Sequence, residues 1–497
     1  MRKEFPRTTP ESVGVPSSCV EKLLDRLEEG FTEPHGLMLM RSGKVFAEGW
    51  WVPYAAGIRH GLQSHTKTYA STAVGIACTE GILKLSDRVI DLFPEFAPED
   101  PSENLKKLTV RDVLCMGCGM DSMPSATADW IRDFLSIPVA HTPGSVFMYN
   151  SVGSTLLASI VKKVSGLGLH DYLKPRLFDK LGIDDKNLRW AYMPDGIEVG
   201  GGGLWATTED NLRLLKLYAD GGVWEGERIL DAEFVRLAST DQNNNAPKDQ
   251  PDAPILDSTA GYGFQMWMCK HKGAYRADGA YGQFTIVVPE RDMILAITEY
   301  ALGQDTSKTL DSFWEFLDSL PDPAVESLPE DEKASAHLAR RLACLALPAP
   351  KYAPYSPMQE KINGKTFRIT DGYFAVNDNS TYVRIAGEVP APAVSTLSFR
   401  FGTGRLYIDA ADAEGKKTVT AALDGSRCEN DLGGMPSIAL CSGAWISPDT
   451  LELTMRMIEN PGPRVVNFHF EDGGLRIETP APVFRFPIPD VHARMEE

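Results

Sequence analysis

Ser64 and Lys67 stand three residues apart in the segment Ser64-His65-Thr66-Lys67. A serine hydroxyl is protonated near neutral pH and needs a neighbouring base before it can act as a nucleophile. Residues at this spacing share one helix face, which brings a lysine amine within hydrogen-bonding reach of the serine oxygen. A helix opening at Ser64 adds the positive end of its dipole and a set of unsatisfied backbone N–H groups. The lysine accepts a proton only when neutral, so the arrangement requires a pKa depressed by burial or by nearby cations.

A chain of this composition contains S-x-x-K about once or twice by chance, and a second copy occurs at Ser159–Lys162. The helical pattern places that copy mid-helix, opposite an apolar stripe, as a solvated surface. Ser64 instead follows a loop and opens a long apolar helix, expected from Ser64 to Glu80 and closing at Gly81. A third group joins them from a distance. Tyr149 follows the Pro143-Gly144 turn and directly precedes another helix, and a tyrosine hydroxyl can relay a proton between nucleophile and leaving group.

The elements that must hold these residues are legible in outline. LMLMRSGKVFAEGWW (37–51) reads as two strands around a Ser-Gly turn. Helices are expected over 151–166, with Val152, Leu156, Leu157, Ile160, Val161 and Val164 on one face, and from about 207, where Thr207 or Thr208 caps. Strand patterns return at 262–269, 282–289 and 293–300, and a helix over 306–320 closes the unit. Strands at both ends of a helical middle predict one α/β domain over residues 1–320, its antiparallel sheet flanked by helices and joined to a helical subdomain. Residues 321–356 are proline-rich around a short helical segment (330–347) and read as a linker. From 357 to 497 the texture becomes alternating strands between Gly, Asp and Pro turns, an all-β barrel or sandwich.

Together these segments resemble the class C β-lactamase and penicillin-binding esterase superfamily, over roughly residues 8–320. The family order is S-x-x-K, then Y-x-N after a Pro-Gly turn, then a K-T-G or H-x-G strand. Ser64, Lys67 and Tyr149 match, while Ser151 stands where asparagine is usual and Asn150 lies between. LTVRDVLCMGCGM (108–120) and GGGLWATTEDNLRLLKLYADGG (201–222) resemble scaffold segments of the family. In the third motif Ala277 replaces the basic residue and Gly279 is kept; strand alternation turns Arg276 and Asp278 to the other face. The resemblance implies that Ser64 is the nucleophile, with Lys67 and Tyr149 as general base and acid. It also implies an oxyanion hole from the backbone N–H groups of Ser64 and Ala280, with Gly279 letting the strand approach the substrate. Ser151, Gly279 and Asn150 are then expected to bind substrate, and Trp205 to line the cleft. Loss of the basic residue points away from carboxylate-bearing β-lactams and toward neutral esters or amides.

The remaining signals exclude more than they add. The net charge of −18 over 497 residues argues against nucleic acid or anionic lipid as partner. No apolar run reaches the length of a membrane span, and no secretory signal follows the first residues. Eight cysteines without framework spacing fit a reducing compartment, the cytoplasm. Cys115 and Cys118 have C-x-x-C spacing but no second ligand pair, so neither a metal nor an organic cofactor is expected. GGGL at 201–204 lacks a phosphate-loop context, His65 is expected to point away from Lys67, and His141 to be structural or superficial. Three functions fit: a small-molecule esterase or amidase; a hydrolase of D-peptides, linear amide oligomers or β-lactams; and a catalytically silent binding protein on the same scaffold. The β module could cover the cleft, shape specificity or join copies of the chain into a homo-oligomer.

Overall fold

The computed structural model describes residues 4–247, 254–377, 386–434, 437–480 and 488–496. They fall into two compact units that meet at Leu347, apart from Ala386 and Gly387, which group with the first.

The first unit is built on a six-stranded antiparallel sheet. Its strands are β1 (Thr32–Arg41), β2 (Lys44–Trp50), β3 (Trp267–Met268), β4 (Tyr275–Gly279), β5 (Gln283–Val288) and β6 (Met293–Ala301), in the order β2-β1-β6-β5-β4-β3. The expected hairpin forms because Ser42 and Gly43 both take positive φ, 50° and 72°, the twist-matched geometry of a two-residue turn. The two termini of the unit thus complete one sheet. Its central strands are buried at successive residues rather than alternate ones, so both faces are covered. Of the 262–269 strand pattern only Trp267–Met268 forms a strand.

Helix α1 (Ser17–Leu27) packs on β1, and α4 (Thr208–Ala219) lies across β1, β5 and β6. Helix α4 starts at Thr207 in a reciprocal capping box with Asp210. In sequence, α2 (Thr66–Thr79) and α3 (Ser151–Ser165) come between the two sets of strands, and they pack on each other. Every residue of α2 from Thr66 to Ala77 is buried, the mark of a central helix. The helix α5 (Ser307–Asp318) packs on α1.

The proline-rich stretch after residue 320 is more than a connector. Its helix α6 (Glu332–Ala343) joins the first unit: Arg341 pairs with Glu21, Asp25 and Glu28 of α1, and the Ser335 hydroxyl donates to Glu11.

The second unit is a closed antiparallel barrel. Its strands are β7 (Thr366–Asp371), β8 (Thr396–Gly402), β9 (Arg405–Asp412), β10 (Gly415–Ala422), β11 (Cys428–Asp431), β12 (Ile438–Trp445), β13 (Thr450–Met457), β14 (Arg464–Glu471), β15 (Gly474–Glu478) and β16 (Val491–Met495). The order is β10-β9-β8-β7-β16-β15-β14-β13-β12-β11, and a parallel bridge, Ala422↔Ser442, joins β10 to β12. That bridge closes a nine-strand ring among the described residues, with β11 as a side strand on β12. Phe367, Phe399, Phe468 and Phe470 fill the interior, with Phe399 5.2 Å from both Phe468 and Phe470, in the edge-on contacts that aromatic rings favour. Gly443 and small residues interrupt the apolar–polar alternation of β12.

Candidate active site

Ser64 sits in a short 3-10 turn (Gln63–His65) that runs into α2, so the α-helix proper begins at Thr66 rather than at Ser64. Gln63, directly before it, holds a left-handed φ of 51°. A non-glycine residue in that region is strained by about 1–3 kcal/mol, and such strain persists only where the surroundings enforce it. Here the surroundings are Leu62 and Leu204: the Leu62 N–H donates to the Leu204 carbonyl, while the Leu204 N–H donates to Thr66 Oγ1. The turn is thereby clamped to the glycine-rich segment 200–204, with Ser64 left half-exposed.

Lys67, one turn on, is 1% exposed. Its ammonium or amine nitrogen lies 2.9 Å from Ser64 Oγ and also donates to the Gly201 carbonyl. Burial drives its pKa down to about 7, against the opposing pull of the Asp278 carboxylate. The neutral amine is thus accessible near neutral pH. Gly201 is fixed in turn by α3: its N–H donates to Thr155 Oγ1 at 3.1 Å. A Cβ on Gly201 would stand 2.3 Å from the Ser151 carbonyl oxygen, so only glycine allows this approach.

Tyr149 arrives from α3. The Asn150 side chain accepts from the Gly153 N–H at 2.8 Å as N-cap of that helix, which fixes the residue before it. The Tyr149 ring lies 4.8 Å from the Lys67 nitrogen and stacks on Trp267 at 5.6 Å, and its hydroxyl shares a hydrogen bond with Ser64. Burial raises the Tyr149 pKa well above its ordinary value, the Ser64 hydrogen bond opposes this, and Asp278 adds to it. Tyr149 is therefore a neutral phenol, able to donate a proton, while the neighbouring amine is the group able to accept one. A tyrosine serving as base would need nearby cations to lower its pKa; here the environment does the reverse.

Beside Ser64 opens a cavity of about 460 Å3, lined among others by Gln63, Met123, Ser151, Val152, Met193 and Gly202. Among the described residues no lining side chain carries a formal charge. Ser151 lines it. Asn150 does not: it is fully buried and committed to the cap. Trp205 does not either, being 1% exposed in the core, because β-pairing with His60–Gly61 turns it inward. Gly279 faces the segment before the serine, where a Cβ would meet the Leu62 carbonyl at 2.1 Å, and Ala280 follows it, exposed, at the turn. His65 is buried away from Lys67, with Nε2 3.0 Å from Thr285 Oγ1. His141 is at the surface beside Asp121.

Among the described residues no cluster of His, Cys, Asp and Glu could hold a metal ion, and no single helix is long and apolar enough to cross a membrane. The second S-x-x-K differs from its expectation: Lys162 is exposed, but Ser159 is only 4% exposed, because α3 is enclosed all round up to Val161.

The beta-lactamase family model matches residues 24–307, more than half of the chain. The chain belongs to the beta-lactamase family. This beta-lactamase-family member is 25% identical over 320 residues to the 6-aminohexanoate-dimer hydrolase of Paenarthrobacter ureafaciens, covering 58% of this chain and 79% of that protein. It is 26% identical over 301 residues to penicillin-binding protein 4 of Amycolatopsis lactamdurans, covering 52% and 76%. Among solved structures, a candidate 6-aminohexanoate-dimer hydrolase from Bacillus anthracis shares the fold at 18% identity, with a TM-score of 0.52 over 65% of this chain and 89% of that one. The protein is accordingly a serine hydrolase, one that cleaves an amide or ester through an acyl-enzyme.

Three neighbours of Ser64 lay outside the sequence expectation. The Gly201 carbonyl and the strained Gln63 are backbone features with no side-chain signal. Asp278 was placed on the far face of its strand, yet its charge acts on both Lys67 and Tyr149. Ala277 is the enclosed one, paired with Thr285 across β4 and β5.

Proposed function

We propose that Ser64 is the nucleophile, Lys67 the general base and Tyr149 the general acid in hydrolysis of a small ester or amide whose acyl part is uncharged. The observation that carries this is the buried Lys67 nitrogen, with its pKa near 7, at 2.9 Å from Ser64 Oγ.

In the proposed cycle Ser64 Oγ bonds to the substrate carbonyl carbon as its proton passes to the neutral Lys67 amine. The backbone N–H groups of Ser64 and Ala280 hold the oxyanion, a donor pair that typically lowers a barrier by about 3–4 kcal/mol per donor. The bond to the leaving group then breaks as the Tyr149 phenol gives it a proton and is reprotonated from Lys67. Water attacks the acyl-enzyme carbonyl, its proton leaves through the same pair, and Ser64 is restored. The cavity of about 460 Å3, without formal charge, suits an uncharged acyl chain. A linear amide of the kind named for the Paenarthrobacter relative is one such substrate. Substrates with a carboxylate beside the scissile bond, as in β-lactams, are disfavoured by Asp278. All eight cysteines are free, which suits the reducing cytoplasm.

The test is a fluorophosphonate probe applied to the purified protein with and without a penicillin, read by intact mass and peptide mapping. Single labelling on Ser64, lost in Ser64→Ala and reduced in Lys67→Ala, is the expected result, with no protection by penicillin. Protection would restore the β-lactam and D-peptide class, and a folded protein that takes no label would be a silent scaffold.

A further inference from the structure

Ser64 borders the cavity, whose described lining carries no formal charge. Tyr149, Trp267 and the Arg276–Asp278 pair are not part of that lining. Arg276 Nε donates to Asp278 Oδ2 at 2.8 Å, and the guanidinium is sealed under the sheet edge, where it also donates to the Asp257 and Met268 carbonyls and stands 5.7 Å from the Trp267 ring. Its side chain is 4% exposed, against 23% for Asp278. A ligand therefore meets the carboxylate and not the guanidinium. Asp278 Oδ2 is taken by Arg276. Asp278 directly precedes Gly279, where the strand closes on the Leu62 carbonyl beside the serine turn, and its charge acts on Tyr149, the group that hands a proton to the departing atom.

We propose that Asp278 is a specificity residue that selects esters or amides whose leaving group carries an ammonium, as amino alcohols and diamines do. This rests on the cycle proposed above, because Tyr149 must mark the leaving-group side. The division is physical: an uncharged acyl chain enters the cavity without losing a partner for its charge, and the cation stays at the open edge beside a fixed carboxylate. Arg276, held on three oxygens, orients that carboxylate while remaining out of a substrate's reach; burial raises the Asp278 pKa and Arg276 opposes that rise.

The test compares butyrylcholine with 3,3-dimethylbutyl butyrate, which differ in charge and hardly at all in size. In the wild type kcat/KM for the cationic ester should exceed that for the neutral one by about tenfold, the effect of one interaction with a charged group. In Asp278→Asn the ratio should fall to near one. A ratio cancels any general change in Lys67 or in folding, and Ser64 labelling by fluorophosphonate reports that the variant is intact. The double variant Asp278→Asn/Arg276→Gln removes the stranded guanidinium if the single variant misfolds. A wild-type ratio of one or less, or a ratio that survives Asp278→Asn, overturns the proposal. If neither ester turns over, protection of Ser64 from labelling by choline against 3,3-dimethylbutanol gives the same comparison, and equal protection overturns it. Equal hydrolysis of both esters removes this proposal alone, whereas failure of Ser64 to label removes the cycle with it.

Discussion

The chain carries the same four-residue pattern twice, and the two copies have opposite fates. At 64–67 the serine is half-exposed on a strained turn and the lysine is buried, its nitrogen on the serine oxygen. At 159–162 the serine is buried in the middle of α3 and the lysine is exposed to water. Chemistry requires the first distribution. A nucleophile must be reachable, and its base must be desolvated enough to lose a proton near neutral pH. The second copy has each group in the wrong solvent, so identical residue types at identical spacing produce only a helix.

Removing the serines separates the copies most sharply. Ser64→Ala should reduce turnover by about 10³-fold or more, while Ser159→Ala leaves it within about twofold; kcat/KM on one ester and intact-mass labelling check both. The lysines come next. Lys67→Met should cost about 10²–10⁴-fold in acylation, and Lys162→Met should cost nothing measurable. In the wild type the acylation rate should rise with pH through about 7, since the ammonium below that pH cannot take the serine proton. A flat profile would mean that Lys67 is not the base. Tyr149→Phe should slow amides by about 10²-fold and activated nitrophenyl esters far less, because a good leaving group needs no proton.

A smaller effect is expected at Gly201, whose carbonyl accepts from Lys67. Gly201→Ala places a Cβ 2.3 Å from the Ser151 oxygen and should destabilise the protein by about 1–3 kcal/mol, read as a lower Tm. The smallest is at Ser159, whose hydroxyl has no partner among the described residues. Ser159→Ala should be neutral or stabilising by up to about 1 kcal/mol.

Sequence patterning reached the residues whose signals are local. The Ser42-Gly43 turn, the Thr207 cap and the Gly166 helix end follow from single-residue conformational preferences, and the closeness of Ser64, Lys67 and Tyr149 from residue type in an ordered resemblance. What escaped it depends on neighbours far along the chain. Asn150 lies beside Tyr149 in sequence, yet the capping role keeps it out of the cavity. Trp205 is drawn inward by a strand at residues 60–61. Asp278 could be assigned to one face of β4 by alternation, but which face meets Lys67 is decided by how the sheet edge packs against α2. Ser159 was expected in water because a stripe of apolar residues marks only the most apolar face, and an enclosed helix has no opposite face to expose.

The barrel ring sets a constraint of parity. When neighbouring strands alternate in direction, a ring returns to its starting direction only if the number of strands is even. This ring has nine among the described residues, so one junction must pair strands running the same way, and the Ala422↔Ser442 bridge is that junction. Every other neighbouring pair shares an antiparallel ladder of several residues, whereas the seam rests on a single bridge. Opening there breaks the fewest backbone bonds. The ring consequently has a built-in zipper end, and amide hydrogens of Ala422 and Ser442 should exchange before those of any other strand junction in the barrel.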